Sequence, residues 1–434
     1  MKVHFVGIGG IGLSAIARFL LAKGHEVSGS DVKRTKIVED LEALGIKVTV
    51  PHSRHAVEDQ DLLIYSAAVK STNPELKQAR HKGIQVITRL EALRLVLSEK
   101  KVYSVCGAHG KSTTTAMLAE ILGSSALIGA ESKAIGANCR VVAQKNLMVF
   151  EADESDGSFL NSNPYCAIVT NAEPEHMEYY DYDTDWFYEC YTEFLSKASC
   201  RVINAEDEFL SSIDMEAVRL YPSKDIKNIR YDLVDGEPTT FFELKELGEF
   251  SVWGFGEHIA LDASLAILAA MNELEVGEIR ENLKRFKGIK KRFDVIHKDE
   301  KIAIIDDYAH HPTEIEATIK SVKLYSKLGG YGKITAVWQP HKWSRTMDNL
   351  EHFIRCFEGV DTLVILPVWA VNEEPRELDF LATFGRYNPI LAEKIKKEEN
   401  KIIIVSNNSN VTIDAGVVIG FGAGDITYQL RGQK

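Results

Sequence analysis

Residues 106–115, CGAHGKSTTT, carry the residue types that bind a phosphate and follow an apolar run typical of a buried strand. Gly107 and Gly110 let backbone N–H groups close around an anion, and the helix predicted to follow adds its positive end. Lys111 supplies a charge that can reach a terminal phosphate, and the hydroxyl of Ser112 is placed to bind Mg²⁺. The P-loop pattern requires its first glycine at position 105, which is Val, so Gly107 would take that part in a shorter loop. The alternative is a turn with a solvated lysine.

Acidic residues follow the strand predicted at 147–150, namely Glu151, Asp153, Glu154 and Asp156. Carboxylates at the C-terminal end of a strand suit a divalent cation. The next predicted strand, at 167–170, is followed by Asn171, Glu173, Glu175 and His176. We predict that His176 shares a metal site with the acidic strand end, and a solvated acidic turn is the alternative.

The N-terminal segment carries a second glycine pattern. Gly7, Gly9 and Gly12 satisfy G-x-G-x-x-G between a predicted strand and a predicted helix, and Asp31 lies 19 residues after Gly12. The pattern predicts a dinucleotide-type fold that binds a diphosphate at the loop and a ribose or base near Asp31. A later strand ends in small residues at Ser66, where a ligand could approach. The motif does not name the nucleotide, and NAD is the first candidate; a glycine-rich turn that packs helix on strand is the alternative.

The C-terminal third repeats the arrangement of a strand followed by polar residues. Two such loops contain Asp306, Asp307, His310 and His311, and then His341, Lys342 and Arg345. Ligands of parallel sheets bind beyond the carboxyl ends of the strands, so these residues are candidates for a binding site. Consecutive residues of a strand point to opposite sides, which argues against one ion shared by the two adjacent histidines.

The chain has 434 residues, which is too long for one ordinary core. We predict three domains, 1–98, 99–292 and 293–434, with basic residues near 287–295 at the second boundary. The weaker apolar pattern at 204–250 predicts irregular structure or small strands, and a helix is expected from 257.

Composition excludes several classes of function. A formal net charge of −12 argues against a nucleic-acid partner. The six cysteines include no C-x-x-C pair, which favours reduced thiols in a cytoplasmic protein. The apolar stretch at 3–17 contains four glycines and fits a strand, loop and helix better than a signal peptide. No apolar run is long enough to insert into a membrane.

Six sequence blocks, in order along the chain, resemble those of the Mur ligases: GIGGIGLSAIA, GAHGKSTTT, EADESDGSF, DDYAHHPTEI, QPHKWSRT and GAGDI. The resemblance implies an α/β fold with a Rossmann-like N-terminal domain, a P-loop ATPase-like central domain and a Rossmann-like α/β C-terminal domain. It also implies ATP and Mg²⁺ as cofactors and UDP-N-acetylmuramate and L-alanine as substrates, so UDP replaces NAD at the first loop. The expected reaction joins alanine to the sugar's lactyl carboxylate through an acyl phosphate, in peptidoglycan synthesis.

The resemblance also assigns roles to residues. Lys111, His176, His310 and Arg345 are expected to be catalytic, and Ser112, Glu151 and His176 to bind metal, with Glu151 preferred to Glu154 on its distance to His176 in related ligases. The expected nucleotide contacts are Gly107, Ala108, His109, Gly110, Lys111, Ser112, Thr113, His258 and Asp306. The expected substrate contacts are Gly9, Gly10, Ile11, Gly12, Asp31, Ser66, Tyr308, His311 and Lys342.

Several positions depart from the family pattern. Ala108 and Ser112 stand where threonines are usual, Ile259 and Asp262 where two asparagines read adenine, and Lys342 where an arginine is usual. Three alternatives therefore stay open: a recycling ligase that joins the same UDP-sugar to a tripeptide, a nucleotide-binding homologue without catalysis, and a nicotinamide-dependent oxidoreductase. We expect a monomer or weak homodimer.

Overall fold

The apolar residues that open the chain form the central strand of a five-stranded parallel sheet, in the order β3-β2-β1-β4-β5. The computed structural model describes residues 1–98, 100–155, 157–175, 177–406 and 410–433. The reversal of strand order beside β1 opens a crevice at the glycine loop, as in dinucleotide-binding folds. The elements of this region are β1 (Lys2–Val6), α1 (Ile11–Ala22), β2 (Glu26–Ser30), α2 (Lys36–Ala43), β3 (Lys47–Thr49), β4 (Leu62–Tyr65), α3 (Pro74–His81), β5 (Gln85–Thr88) and α4 (Arg89–Ser98).

A seven-stranded sheet follows, in the order β12-β11-β10-β6-β9-β7-β8, and β8 is its antiparallel edge strand. Helix α5 (Lys111–Leu122) packs against α9 (Glu257–Ala270), and every residue of α5 after Lys111 is buried, which explains its lack of a polar face. The elements up to position 225 are β6 (Lys101–Cys106), α5 (Lys111–Leu122), β7 (Ser125–Ser132), β8 (Ala137–Arg140), β9 (Leu147–Glu151), β10 (Cys166–Val169), α6 (Thr184–Ser196), β11 (Cys200–Asn204), α7 (Glu208–Ser211), β12 (Val218–Leu220) and α8 (Pro222–Asp225).

The segment after position 225 is more regular than the sequence predicts. It forms a three-stranded sheet of β13 (Ile226–Val234), β14 (Glu237–Leu244) and β15 (Glu249–Trp253), and α9 (Glu257–Ala270) and α10 (Val276–Leu283) follow. Residues of β14 are alternately buried and partly exposed, so a period of two is present. The two threonines and two glutamates of β14 lower its apolar content, and this hides the alternation of buried and exposed residues from the sequence.

The third region forms a six-stranded sheet in the order β16-β17-β24-β18-β19-β20, with the last strand of the chain inserted at its centre. A smaller antiparallel sheet contains β21, β22 and β23. The elements are β16 (Asp294–Lys298), β17 (Ile302–Asp307), α11 (Pro312–Gly329), β18 (Ile334–Trp338), α12 (Trp343–Asp348), α13 (Leu350–Cys356), β19 (Thr362–Ile365), α14 (Phe380–Thr383), β20 (Ile390–Leu391), β21 (Lys394–Glu398), β22 (Lys401–Val405), β23 (Asn410–Ile413), β24 (Gly416–Phe421) and α15 (Ile426–Leu430).

The chain divides into two compact units. The first contains Met1–Arg230, Phe241–Val252 and Glu257–Lys287, and the second contains Tyr231–Thr240, Trp253–Gly256 and Gly288–Lys434. One continuous core in the first unit includes Phe5, Phe150 and Phe194. In the second unit, Ile305 and Ile304 of β17 face two separate apolar clusters on the two sides of the sheet. The domain boundaries given above stay predictions.

Across the described residues, no helix combines the length and the apolar character that crossing a membrane requires.

Candidate functional site

The loop between β6 and α5 has the backbone geometry that its glycines predict. Gly107 has φ +135° and Gly110 has φ +79°, both in the region that disfavours a side chain. A Cβ on Gly107 would collide with Thr170, and one on Gly110 would collide with the carboxylate of Asp262. The loop therefore needs glycine at both positions, for its conformation and for space.

The loop is also tied to the end of the neighbouring strand β10. His109 accepts a hydrogen bond at its carbonyl from the Thr170 hydroxyl over 2.5 Å. Asn171 accepts from the N–H of His109 through Oδ1 and donates to its carbonyl through Nδ2, both over 3.1 Å. The ring of His109 lies within 3.4 Å of Glu173 and Glu175.

Helix α5 begins at Lys111 directly after this loop. The first N–H groups of a helix have no partner within the helix and carry its positive end. Ala108 is partly exposed in the loop, while Ser112 and Thr113 are buried in the first turn. The arrangement suits an anion at residues 107–113.

Lys111 lies against the loop backbone and against one acid. Its Nζ donates to the carbonyl oxygens of Gly107 over 2.6 Å and Ala108 over 3.3 Å, and to Oε1 of Glu154 over 2.8 Å. Burial lowers the pKa of Lys111, but the charge of Glu154 and its hydrogen bond outweigh that effect and raise the pKa above its usual value. Lys111 is therefore a fully charged ammonium group at neutral pH.

Two of the predicted metal ligands lie together. The hydroxyl of Ser112 donates to Oε1 of Glu151 over 2.9 Å, and the other carboxylate oxygen of Glu151 accepts from the N–H of Gly129 over 2.6 Å. A Cβ on Gly129 would collide with this carboxylate, so the glycine makes room for it. A hydroxyl and a carboxylate beside a phosphate loop are the oxygen donors that Mg²⁺ prefers. His176, the third predicted ligand, lies outside the described residues.

The positions that depart from the adenine-binding pattern lie at the start of α9. His258 is exposed in the first turn, and Asp262 is buried one turn later with its carboxylate against Gly110. Asp262 therefore lies next to the phosphate loop itself. The adenine contact predicted for His258 stays a prediction.

The glycine loop between β1 and α1 is stabilised by the carboxylate of Asp31. Gly7 has φ +85°, and the N–H of Gly9 donates to Oδ2 of Asp31 over 2.8 Å. Oδ1 of Asp31 accepts from the N–H of Val32 over 2.7 Å, so both oxygens of the carboxylate bind backbone. The missing side chain of Gly12 leaves room for Arg89, whose Nη1 would lie 3.1 Å from an added Cβ.

The other predicted contacts of this loop are arranged around it. Gly10 and Ile11 are exposed at the start of α1, and Ser66 lies next to Gly7 at the end of β4. The diphosphate contacts stay predictions, and Asp31 acts in the structure by fixing the loop.

A cluster of aromatic and basic side chains lies in the second unit. The rings of Tyr308 and His310 are 5.4 Å apart, and those of His310 and His341 are 5.7 Å apart. Arg345 donates from Nη1 to Nδ1 of His341 over 3.1 Å. Burial lowers the pKa of His310, and burial with the nearby charge of Arg345 lowers the pKa of His341 to about 4. Both rings are therefore neutral at pH 7, and Arg345 carries the positive charge of the cluster.

Three further predicted site residues lie in the second unit: Asp306, His311 and Lys342. Asp306 is buried and accepts hydrogen bonds from Thr427 over 2.6 Å and from Arg431 over 2.8 Å. His311 is exposed before α11, and its N–H donates to Glu314 over 3.1 Å. Lys342 has φ +67°, a strained backbone for a side chain other than glycine.

The hydrogen bonds from Thr427 and Arg431 all end on Oδ2 of Asp306, whereas its Oδ1 is buried with no hydrogen-bond partner among the described residues, and the nucleotide contact of Asp306 stays a prediction. Asp307, one residue later, faces the other side, where it accepts from the N–H groups of Phe293 and Ala309. Burial raises the pKa of Asp307 to about 6.

Comparison with known proteins identifies the family. Three family models match in order: "Mur ligase family, catalytic domain" at residues 2–101, "Mur ligase middle domain" at 105–270 and "Mur ligase, glutamate ligase domain" at 291–410. The UDP-N-acetylmuramate–L-alanine ligase of Campylobacter curvus is 55% identical over 432 residues, which are 99% of each chain. The ligase of the same name from Helicobacter pylori strain P12 is 52% identical over 436 residues, covering 100% of this chain and 96% of the relative.

The chain belongs to the Mur ligase family.

A solved structure supports the same conclusion. The UDP-N-acetylmuramate-alanine ligase of Thermotoga maritima superposes with a TM-score of 0.81 at 27% identity, covering 99% of this chain and 97% of that one. The three domains of this Mur ligase, with mixed α/β sheets of mainly parallel strands, confirm the predicted fold class.

Three residues of this Mur ligase have contacts beside its candidate sites that the sequence does not predict. Glu154, to which the resemblance prefers Glu151 as a metal ligand, pairs with Lys111. Asn171 binds the backbone of His109, and His341, a candidate for the binding site, accepts from Arg345. A shared position at the C-terminal end of a parallel strand was the available signal for all three.

Proposed function

We propose that the protein joins L-alanine to the lactyl carboxylate of UDP-N-acetylmuramate at the expense of ATP, giving an amide, ADP and phosphate. The observation that carries the proposal is the hydrogen bond between Ser112 and Glu151 beside Lys111, which brings predicted cation and phosphate ligands together. Relatives with this activity in their names, at 52–55% identity over the whole chain, support the choice of substrates.

In the first step the sugar's carboxylate oxygen attacks the γ-phosphorus of ATP, and the bond to the ADP oxygen breaks. An acyl phosphate forms. Lys111 would neutralise charge on the transferring phosphoryl group, while N–H groups of the loop and of the first turn of α5 orient the phosphate chain. Ser112 and Glu151 would hold Mg²⁺, which when bound supplies further charge neutralisation at the phosphate oxygens.

In the second step the amine of alanine attacks the acyl carbon, the bond to the phosphate oxygen breaks and the nitrogen loses one proton, so that an amide, phosphate and a proton are formed. Arg345 would pair with the alanine carboxylate, because a guanidinium offers two parallel donors to it. Tyr308 and His310 would form the sides of a pocket that suits a small side chain. Lys342 and His311 would add contacts at its edge.

The first domain would hold the UDP part of the sugar nucleotide. Residues Gly9–Gly12 span the N-terminus of α1, and the N–H groups of Ile11 and Gly12 in its first turn would face a diphosphate. Asp31, by fixing Gly9, would keep this loop ready for the ligand. We place the enzyme in the cytoplasm, as a monomer or weak homodimer.

The decisive experiment measures phosphate release from ATP with Mg²⁺ and UDP-N-acetylmuramate, comparing L-alanine, glycine, L-serine and the tripeptide L-Ala-γ-D-Glu-diaminopimelate as acceptors. We expect release that depends on the sugar nucleotide and is fastest with L-alanine. Release only with the tripeptide would assign the protein to recycling. Binding of ATP without release under any condition would favour a homologue that has lost catalysis.

A further inference from the structure

Two acids at the C-terminal end of strand β9, Glu151 in the strand and Glu154 after it, have different partners. Glu151 interacts with Ser112 and with the backbone of Gly129, whereas Glu154 pairs with Lys111. The cation ligands proposed above use only the first of these acids. The second is therefore open to a different role in the same site.

The ammonium group of Lys111 has a complete set of partners. It has three N–H donors, and three oxygens accept from them: the carbonyls of Gly107 and Ala108 and Oε1 of Glu154. The two carbonyls belong to the loop that ends at Lys111 itself, so Glu154 provides the anchor from outside the loop. That anchor comes from a turn 43 residues later in the sequence.

Glu154 is itself fixed. Its side chain is 1% exposed. Its carbonyl accepts from the hydroxyl of Tyr180 over 2.6 Å and from the N–H of Gly157 over 3.1 Å. Tyr180 is fully buried among aromatic rings that include Phe187, 4.9 Å away between ring centres. The backbone that carries the carboxylate is thus held by the domain core.

The pairing is costly for the fold. Burial disfavours a carboxylate and raises the pKa of Glu154, although the charge of Lys111 opposes that rise. Its second oxygen, Oε2, is buried and has no hydrogen-bond partner among the described residues. An unpartnered buried oxygen destabilises the folded state, so holding Glu154 at this position reduces the stability of the protein.

We propose that Glu154 is a positioning residue: it holds the ammonium group of Lys111 over the phosphate loop, so that the N–H group now donated to Ala108 over 3.3 Å, the longest of the three contacts, can turn to the terminal phosphate of ATP. The inference rests on the proposed function, since it requires that Lys111 binds ATP. Glu154 acts through Lys111 and touches no reacting atom. Removing it would leave the lysine charged and held only by the two loop carbonyls, without the anchor that fixes its orientation.

The test is a cycle of four full-length proteins: wild type, Glu154→Ala, Lys111→Ala and the double variant. The affinity for the ATP analogue AMP-PNP with Mg²⁺ is measured by calorimetry, and kcat is measured for the two proteins that keep Lys111. We expect Glu154→Ala to weaken AMP-PNP binding about tenfold and to lower kcat about tenfold to a hundredfold. In the Lys111→Ala background the same change should alter binding less than twofold.

Equal effects of Glu154→Ala in both backgrounds would overturn the inference, because Glu154 would then act independently of Lys111. An unchanged affinity and kcat in Glu154→Ala would overturn it as well. If wild type binds AMP-PNP and Lys111→Ala does not weaken it, the proposed function of the loop fails instead, so the two failures are distinguishable.

Two further variants separate positioning from folding. Glu120→Ala removes the acid of another buried ion pair in the same domain, with Arg140 at 2.8 Å, and should lower the melting temperature while kcat stays within twofold. Glu154→Gln keeps the shape and one acceptor oxygen and serves if the alanine variant does not fold. Glu154→Gln should retain more AMP-PNP affinity than Glu154→Ala. If a Glu154 variant loses only as much stability and kcat as Glu120→Ala does, the result would contradict a positioning role for Glu154.

Discussion

Arg345 donates a hydrogen bond from its guanidinium group to Nδ1 of His341 over 3.1 Å. Because arginine has no acceptor, Nδ1 must be the unprotonated nitrogen of the ring. The proton of the neutral imidazole then lies on Nε2. His341 thus fixes one edge of the guanidinium and leaves its remaining N–H groups to bind a carboxylate.

Arg345→Ala should raise the KM for L-alanine about tenfold to a hundredfold, since a charge-assisted bidentate contact is worth about 1.5–3 kcal/mol. The KM for ATP should change little. Steady-state kinetics with each substrate varied in turn provide the measurement. Arg355→Ala, at an exposed position of α13, is the control and should behave as wild type. An unchanged KM for alanine in Arg345→Ala would mean that another residue binds its carboxylate.

The contribution of His341 and His310 to stability should fall as the solution is acidified from about pH 6.5 toward pH 4, while that of Asp307, whose pKa is raised to about 6, should rise over the same range. The folded protein holds His341 neutral, with a pKa of about 4 against an ordinary 6.5, because of burial and the charge of Arg345. The unfolded chain therefore binds the extra proton in this window, which favours unfolding. The pKa of His310 is also lowered, so its contribution has the same sign.

Urea unfolding at pH 7 and pH 5 measures this effect, for wild type and for His341→Gln, which retains an acceptor for Arg345. The variant should lose about 1 kcal/mol less stability between the two pH values, a figure that allows for solvent screening of a partly buried ring. The same loss in both proteins would show that His341 does not titrate as the geometry implies.

Lys111→Ala should reduce phosphate release by about a thousandfold or more, because the transition state loses the charge that neutralises the phosphoryl group. Binding of UDP-N-acetylmuramate, measured by calorimetry, should stay within twofold of wild type, since we assign that ligand to the first domain. Lys320→Ala, which removes an exposed lysine paired with Glu316, is the matched control. Equal loss of catalysis and of sugar-nucleotide binding would argue against the assignment of the two domains.

Glu151→Gln should raise the Mg²⁺ concentration for half-maximal rate about tenfold, because an amide is a weaker ligand than a carboxylate for a hard cation. Ser112→Ala should shift the same titration in the same direction, whereas Ser112→Thr keeps the hydroxyl and should stay near wild type. Glu249→Gln alters an exposed ion pair with Arg230 and provides a control. Mg²⁺ titrations that superpose for all four variants would remove both residues from the cation site.

The sequence alone predicts strands and helices correctly where the pattern that specifies them is local. The strand before Gly107, the helix after it and the strand ending at Glu151 are confirmed, because apolar runs and glycine positions specify them over a few residues. The fold class followed from motifs in a fixed order, and it is confirmed by the three family domains.

Pairings between distant residues could not be predicted in the same way. Asp306 and Asp307 are adjacent acids on one strand, and sequence alone does not say which faces the ligand side. The partner of Asp306, Arg431, lies 125 residues later. The pairing of Lys111 with Glu154 was hidden for the same reason, since both Glu151 and Glu154 satisfy the pattern of an acidic strand end.

Asn138 provides the last prediction, because it connects the central domain to the first glycine loop. Its Nδ2 donates to the carbonyl of Ile11 over 2.8 Å and to the hydroxyl of Ser14 over 3.3 Å, and its side chain is buried. Both acceptors lie in the first turn of α1, where we place the UDP diphosphate. Asn138→Ala removes this donor, while the hydroxyl of Ser14 still donates to the carbonyl of Ile11 over 2.8 Å, so the variant should lose about 0.5–1.5 kcal/mol of stability.

The same variant should raise the KM for UDP-N-acetylmuramate about threefold to tenfold while the KM for ATP stays within twofold, because the loop that orients the diphosphate loses a support. Melting temperature and the two KM values are the measurements. Asn146→Ala, at an exposed position before β9, should change none of them. A rise in the KM for ATP that equals the rise for the sugar nucleotide would instead indicate that Asn138 supports the phosphate loop of the central domain.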